Sequence, residues 1–232
     1  MAFTAASVMK RANTILQDVG AVRWTAPELR DWLNEAQRAI VLAKPNALSG
    51  SVTLTLASGT KQTIPAQYTV LSRVVRNVGN GNRAVRTMAR REILDSQIPG
   101  WHDTATLPFA ASVQYVWQDP MSPREFYVVP GNDGNGEVEA LVGRNPTDIP
   151  LAPGGGLDID DYTTTSEFED IYQGILLDFV LFRAFSKDGD APDAAAQAGS
   201  HLTLATNALT ALGASQTAAS LAMQYMTAAA AG

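Results

Sequence analysis

The chain has 232 residues, 46% of them hydrophobic and 17% charged, with 18 Gly, 12 Pro, no Cys and a formal net charge of -6. This length suits one large domain or two small ones, and a chain of this size buries about 70% of its unfolded surface without a disulfide or metal staple. The lack of cysteine excludes a disulfide scaffold, a thiolate metal site and a cysteine nucleophile, and with no leader pattern and no stretch near the roughly eighteen apolar residues of a membrane span, the expectation is a soluble protein made in a reducing cytoplasm.

Two helical signals open the chain. Val8, Ala12, Ile15, Leu16 and Val19 recur at helical spacing, with Gly20 as a stop. Thr25 and Glu28 then match a capping box, with Pro27 in the first turn, ahead of an apolar stripe of Leu29, Trp32, Leu33, Ala36, Ile40 and Ala43, which Lys44 and Pro45 end. The spacing predicts an antiparallel helix pair over residues 4–43.

The period then falls from 3.6 to 2. Residues 51–56 alternate, 57–60 are turn material, and 61–64 return as a second strand. Runs at 71–78 and 84–88 flank Gly79 and Gly81 and read as a hairpin. A short helix near 90–96, strands at 113–118 and 125–129, a Gly/Asn turn at 131–136 and a strand at 137–142 complete a small, largely antiparallel sheet, followed by a Pro/Gly-rich link over 145–165.

The last part turns helical again. Ser166 and Glu169 form a second capping box before Phe168, Ile171, Tyr172, Ile175, Leu176, Phe179, Val180 and Phe182. Beyond Pro192, a seam of Ala198, Leu202, Ala205, Leu209 and Leu212 predicts a helix packed on another helix and closed by Gly213. These elements define an α+β protein that is mainly a helical bundle, the N-terminal pair plus long C-terminal helices, with an inserted small antiparallel β-sheet and an extended C-terminal tail. The expected organisation is a helical domain over 1–48 and 162–213, a β-rich insertion over 49–161 and a C-terminal arm over 214–232.

Catalytic and cofactor chemistry is sparse. His102 and His201 lack the nucleophile-elbow context of a Ser-His-Asp site, and there is no His-Glu-x-x-His pattern for zinc. Residues 79–84 match Gly-x-Gly-x-x-Ala, but a strand follows where a dinucleotide fold places a helix. The turn at 132–137 lacks the alternating ligands of a calcium loop, and Asp158, Asp160 and Asp161 lack companions for a phosphate-binding metal site. No catalytic residue, cofactor or metal site is assigned, and the expectation is that the protein is not an enzyme.

Charge is distributed unevenly. Residues 1–102 hold 13 Lys or Arg against 6 Asp or Glu, a balance of +7, and residues 103–193 hold 4 against 17, a balance of -13; 194–232 hold none. Arg73, Arg76, Arg83, Arg86, Arg90 and Arg91 fall in a stretch without acids, a pattern that fits contact with an acidic protein surface or with phosphates. The tail carries Leu221, Met223, Tyr225 and Met226 as its larger apolar groups, in a composition that fits either an unfolded end or a segment ordering on a partner.

Trp24, Thr25, Glu28 and Leu29, followed by the run from Trp32 to Arg38, resemble the opening of tailed-bacteriophage head-to-tail adaptor proteins, also called connector or head-completion proteins. The likeness continues in order through Ala84, Val85 and Arg86, through Pro99, Gly100, Trp101 and His102, and into the helix after Ser166. The resemblance implies a structural virion protein of the neck, assembled in the bacterial host cytoplasm without a membrane. Its partners would be copies of itself in a ring, commonly twelve, the portal protein, a tail or nozzle protein, and genomic DNA passing through the channel without sequence-specific binding. C-terminal segments grip the portal in such proteins, which implies that role for Leu221, Met223, Tyr225 and Met226, and the arginines would contact a subunit or partner. The alternatives are a DNA-binding assembly factor using the basic hairpin over 73–91 and a metal-dependent hydrolase using the acids over 158–161.

Overall fold

The computed structural model describes residues 3–79, 81–88, 90–188 and 192–229, with side chains as far as 214. The chain divides into two compact units, one of Met1–Lys44 with Pro146–Gly232 and the other of Pro45–Asn145.

The first unit is helical. In α1 (Ala5–Ile15) the Thr4 hydroxyl accepts the Ser7 N–H at the N-terminus, and Val8, Met9 and Ala12 are fully buried. The helix ends at Ile15, one turn before the expected stop, and Val19 stands in solvent. There the Asp18 carboxylate accepts the N–H groups of Val22, Arg23 and Trp24 at 2.9–3.1 Å. Those bonds, the one from Trp24 foremost, hold its carboxyl below the usual range. The turn thus delivers the capping box of α2 (Ala26–Ala43), in which Glu28 accepts the Thr25 N–H and hydroxyl. Lys187, bonding Glu28 from the end of the last-but-one helix, is the foremost cause that holds the Glu28 carboxyl below its usual range, with the Thr25 bonds after it.

Helix α4 (Gln173–Lys187) sits at the centre of this unit, touching α1, α2 and α5 (Ala194–Ala229). It buries Ile175, Leu176, Leu177, Val180, Leu181 and Ala184. The expected capping box at Ser166 and Glu169 does not form: the Ser166 hydroxyl accepts the Phe168 N–H, and a 3-10 turn at Asp170–Tyr172 precedes the helix. Nor does the last helix close at Gly213. One interior glycine costs about 1 kcal/mol, and the alanines around it, the best helix formers, carry α5 on to Ala229. The Pro/Gly-rich segment from Pro146 to Thr165 is a packed strap. It buries Ile149, Ala152, Ile159 and Tyr162, and its backbone bonds Ala5 and Ala6 through Thr164 and Tyr162.

The second unit corrects the expected fold class. Its strands are β1 (Ser49–Thr55), β2 (Gly59–Thr63), β3 (Tyr68–Val78), β4 (Arg86–Thr87), β5 (Tyr115–Gln118), β6 (Glu125–Asn132) and β7 (Glu137–Arg144), with α3 (Arg91–Gln97) between β4 and β5. They form not one small sheet but two, in the orders β1-β7-β3 and β2-β6-β5-β4. With seven strands in two sheets beside five α-helices among the described residues, the protein is α+β without being mainly a helical bundle. The alternating residues read from the sequence are real strands, but the turns after β1, β2, β3 and β6 carry the chain from one sheet to the other. β1 and β2 therefore pair with β7 and β6 rather than with each other. The 73–91 hairpin is likewise only a stub: Ala84 bridges Arg76, after which β4 leaves to pair in parallel with β5.

The sheets share one core. Leu54, Leu71, Val74, Val138, Ala140 and Val142 from the first meet Ile64, Val116, Phe126 and Val128 from the second. The other face of the second sheet is covered by α3 and its sequel, where Leu94, Trp101 and Val129 pack together and the Trp101 indole N–H donates to Asp95 at 2.9 Å.

Three buried carboxamides close the irregular parts of the sandwich. Asn77, with no exposed surface, accepts the Val113 N–H at 2.8 Å and donates to the carbonyls of Val113 and Arg83. Asn132, also fully buried, donates to the carbonyls of Ala110 and Ala111 and accepts the N–H groups of Gly134 and Gly136. A Cβ at Gly136 would collide with that amide and with the Ala111 carbonyl. Gln62 bonds both N–H and C=O of Ala57, closing the turn from β1 to β2. Replacing Asn77 by Ala leaves buried backbone groups unpaired and should cost about 3 kcal/mol. Urea unfolding should show this loss, while Asn135→Ala on the exposed turn should stay within about 0.5 kcal/mol of the parent.

Candidate functional site

All six arginines of the acid-free stretch are solvent-exposed in the second unit, but they are not equivalent. Arg76 on β3 is paired across the sheet with Glu139 of β7, which also accepts the Ser51 hydroxyl. These bonds, Arg76 first, hold the Glu139 carboxyl below its usual range. Arg91 is paired with Asp95 one turn along α3 and lies over the Trp117 ring. Among the described residues, Arg73, Arg83, Arg86 and Arg90 reach no carboxylate.

Two open grooves receive most of the unpaired guanidinium groups. Arg83 and Arg86 line one with Ser112, Gln114 and Tyr115, a rim rich in hydrogen-bond donors and free of acids. Arg90 and Arg91 line the other with Glu92 and Trp117. Arg86 of the first groove lies on β4, the edge of its sheet, which begins where the stub of the hairpin turns away from β3. Asn77 holds this turn through the Arg83 carbonyl, so a buried amide positions an exposed cation.

Other predicted groups have structural partners. His102 stacks on Trp101 and its Nδ1 shares a 2.7 Å hydrogen bond with the Thr60 hydroxyl; burial, then Arg91, lowers its pKa. The His201 Nδ1 lies 2.9 Å from the Asp178 carboxylate and the ring stacks on Phe185, joining α5 to α4. Asp160 is paired with Lys10, and Asp158 accepts the Asp160 N–H. No group of three or more His, Asp or Glu suited to a metal occurs among the described residues. Leu221, Met223, Tyr225 and Met226 lie on the backbone of α5, their side chains outside the described residues.

The residues behind the family resemblance acquire definite jobs. The Trp24 indole N–H donates to the Ala184 carbonyl at 3.1 Å, and Thr25 and Glu28 cap α2. Asn34, buried, accepts the Ile149 N–H at 2.8 Å and donates to the Ile149 carbonyl, while Gln37 donates to Asn34. The hydrophobic stripe of α2 gave no hint of these amides; their signal was two uncharged polar residues one turn apart beside it.

The model of the family described as SU10 adaptor protein matches residues 3–230. The chain belongs to that family. No curated relative matches it. As a phage head-to-tail adaptor it is a structural virion component that interacts with other head and tail proteins. Among the described residues no helix is long and apolar enough to cross a membrane.

The unpaired arginines contribute no ion pair to the adaptor's own fold, so the triple replacement of Arg83, Arg86 and Arg90 by Ala should leave its melting curve nearly unchanged, within about 0.5 kcal/mol per site. A large loss of stability in thermal unfolding would show instead that these cations hold the unit together.

Proposed function

We propose that the adaptor is a ring-forming subunit, commonly one of twelve, that joins the portal to a tail or nozzle protein and extends the channel through which genomic DNA passes. Its role is structural rather than catalytic. The observation that carries this reading is the shape and chemistry of α5. At 1.5 Å per residue its 36 residues span about 54 Å, against about 22 Å for the 15 residues of α4 on which it packs. The buried positions described on α5 end at Leu209, and from Ala194 onward it carries no Lys, Arg, Asp or Glu. A charge-free helical arm that outruns its neighbour is suited to insertion into an apolar crevice of the portal, with Leu221, Met223, Tyr225 and Met226 as anchors.

The charge division supports a ring. A closed ring needs a heterologous contact, one face of each subunit meeting a different face of the next. Arg73, Arg83, Arg86 and Arg90 on one unit, and the exposed Asp158, Asp161 and Glu169 on the other, supply faces of opposite sign. Acids along a channel would also discourage DNA from adhering. The same unpaired arginines favour the second reading, a DNA-binding assembly factor; that reading requires duplex affinity that falls steeply with salt.

Truncation after Gly213, or Leu221→Glu with Tyr225→Glu, should abolish capture by the purified portal while leaving the thermal transition of the rest in place. Undiminished portal binding by both variants would contradict the arm's assignment, and tight, salt-sensitive binding to duplex DNA would favour the alternative.

A further inference from the structure

Strand edges are the one kind of surface whose partner is specified by backbone chemistry alone, because unpaired N–H and C=O groups in a row fit another strand. In the second unit most edges are protected. Along β3 the register shifts repeatedly. Its outer groups are taken as well: Leu71 donates to Pro123, Val75 accepts from Val85, and Asn77 donates to Arg83. β2 is short, irregular in register and carries the Lys61–Glu125 pair. β4 is only two residues long.

β1 has none of these devices. Its ladder to β7 runs over seven residues without a register shift, and it holds no charge and no proline. At the two ends Arg144 donates to Leu48 and Leu56 donates to Gly136. By the alternation of an antiparallel ladder, Gly50, Val52 and Leu54 therefore turn their backbone groups to β7, and Ser49, Ser51, Thr53 and Thr55 turn theirs outward. Those four residues are exposed, and β7 is the only strand that β1 pairs with among the described residues. On the inner face Val52 is only partly buried against the core at this margin.

We infer that β1 pairs antiparallel with β1 of a second copy, giving the free protein a two-fold dimer through a continuous six-stranded sheet. Self-pairing is favoured because the other edges of this unit are covered, short or charged, and because an uncharged strand meets its own copy without like-charge repulsion. The register that uses every outward group sets Ser49 opposite Thr55 and Ser51 opposite Thr53 of the second copy. These are hydroxyl pairs of the kind that stabilise a sheet. The same register lays Val52 against Val52 of the second copy, covering the exposed margin of the core. The contact is isologous, whereas a ring uses a heterologous one, so the dimer is separate from the proposed ring and does not depend on it.

Sedimentation equilibrium of the full chain, up to its solubility limit, tests this directly. The 24.7 kDa chain should double in mass with concentration, and the Ser51 and Thr53 amides should exchange at least about tenfold more slowly in the dimer. Thr53→Pro, which removes an outward N–H and no ladder bond, should be monomeric. So should Ser51→Lys with Thr53→Lys, and Ser51→Glu with Thr53→Glu, each with unchanged circular dichroism. Mixing the lysine and glutamate variants should restore a dimer. A wild-type chain that stays monomeric, a dimer that survives the lysine pair, or a failure of the mixture to associate would overturn the proposal, and none of these outcomes bears on portal binding.

Discussion

Irregular backbone can be buried only where its N–H and C=O groups find partners, and in this chain much of that pairing falls to carboxamide side chains. A carboxamide donates and accepts at once, so one buried Asn can stand in for a neighbouring strand. Asn77 and Asn132 do so for the segment from Ala110 to Val113, Gln62 for the turn at Ala57, and Asn34 for Ile149 in the strap. In each case the amide fixes a stretch that has no ladder of its own. At the crossings between the two sheets after β1, β3 and β6, Gln62, Asn77 and Asn132 take over where ladder bonds stop.

The same latches set what stands at the surface. The Asn77 latch sets the stub after β3, which sends β4 to the second sheet and brings Arg83 and Arg86 to one groove. Arg76 pairs with Glu139 and Arg91 with Asp95, and Arg73, Arg83, Arg86 and Arg90 have no carboxylate partner among the described residues. The helical unit follows a parallel logic: Trp24, Asp18, Glu28 and Lys187 tie the start of α2 to the end of α4, and α5, packed on α4 through its first half, continues as an uncharged arm.

Much of this was legible in the amino-acid sequence. The capping box at Thr25 and Glu28 was visible because it is local, and the strand segments because alternation is local too. Their partition into two sheets was not, since a short turn between strands reads as a hairpin unless something distant holds the strands apart. The distant agents are Asn77, whose only local signal is asparagine within a run of β-formers, where it is usually depleted, and Asn132, which stands in a Gly/Asn turn where asparagine is ordinary. Ser166 and Glu169 matched a capping pattern that the backbone does not use, because the Ser166 hydroxyl bonds one residue too early. Gly213 looked like a stop because one glycine is conspicuous, whereas the summed propensity of the alanines around it outweighs its cost. The basic stretch is legible as a pattern for an acidic protein surface or for phosphates, but which arginines have partners depends on cross-strand register and on a helix turn, both set by the folded chain.

Hydrogen exchange at individual amides tests the role of the carboxamides most directly. The N–H groups of Val113 and Ile149 lie outside every helix and strand and donate to Asn77 and Asn34. If those latches hold the irregular backbone, both amides exchange as slowly as Val138 at the centre of its sheet. Exchange as fast as at Ala105, on an exposed turn, would contradict the account.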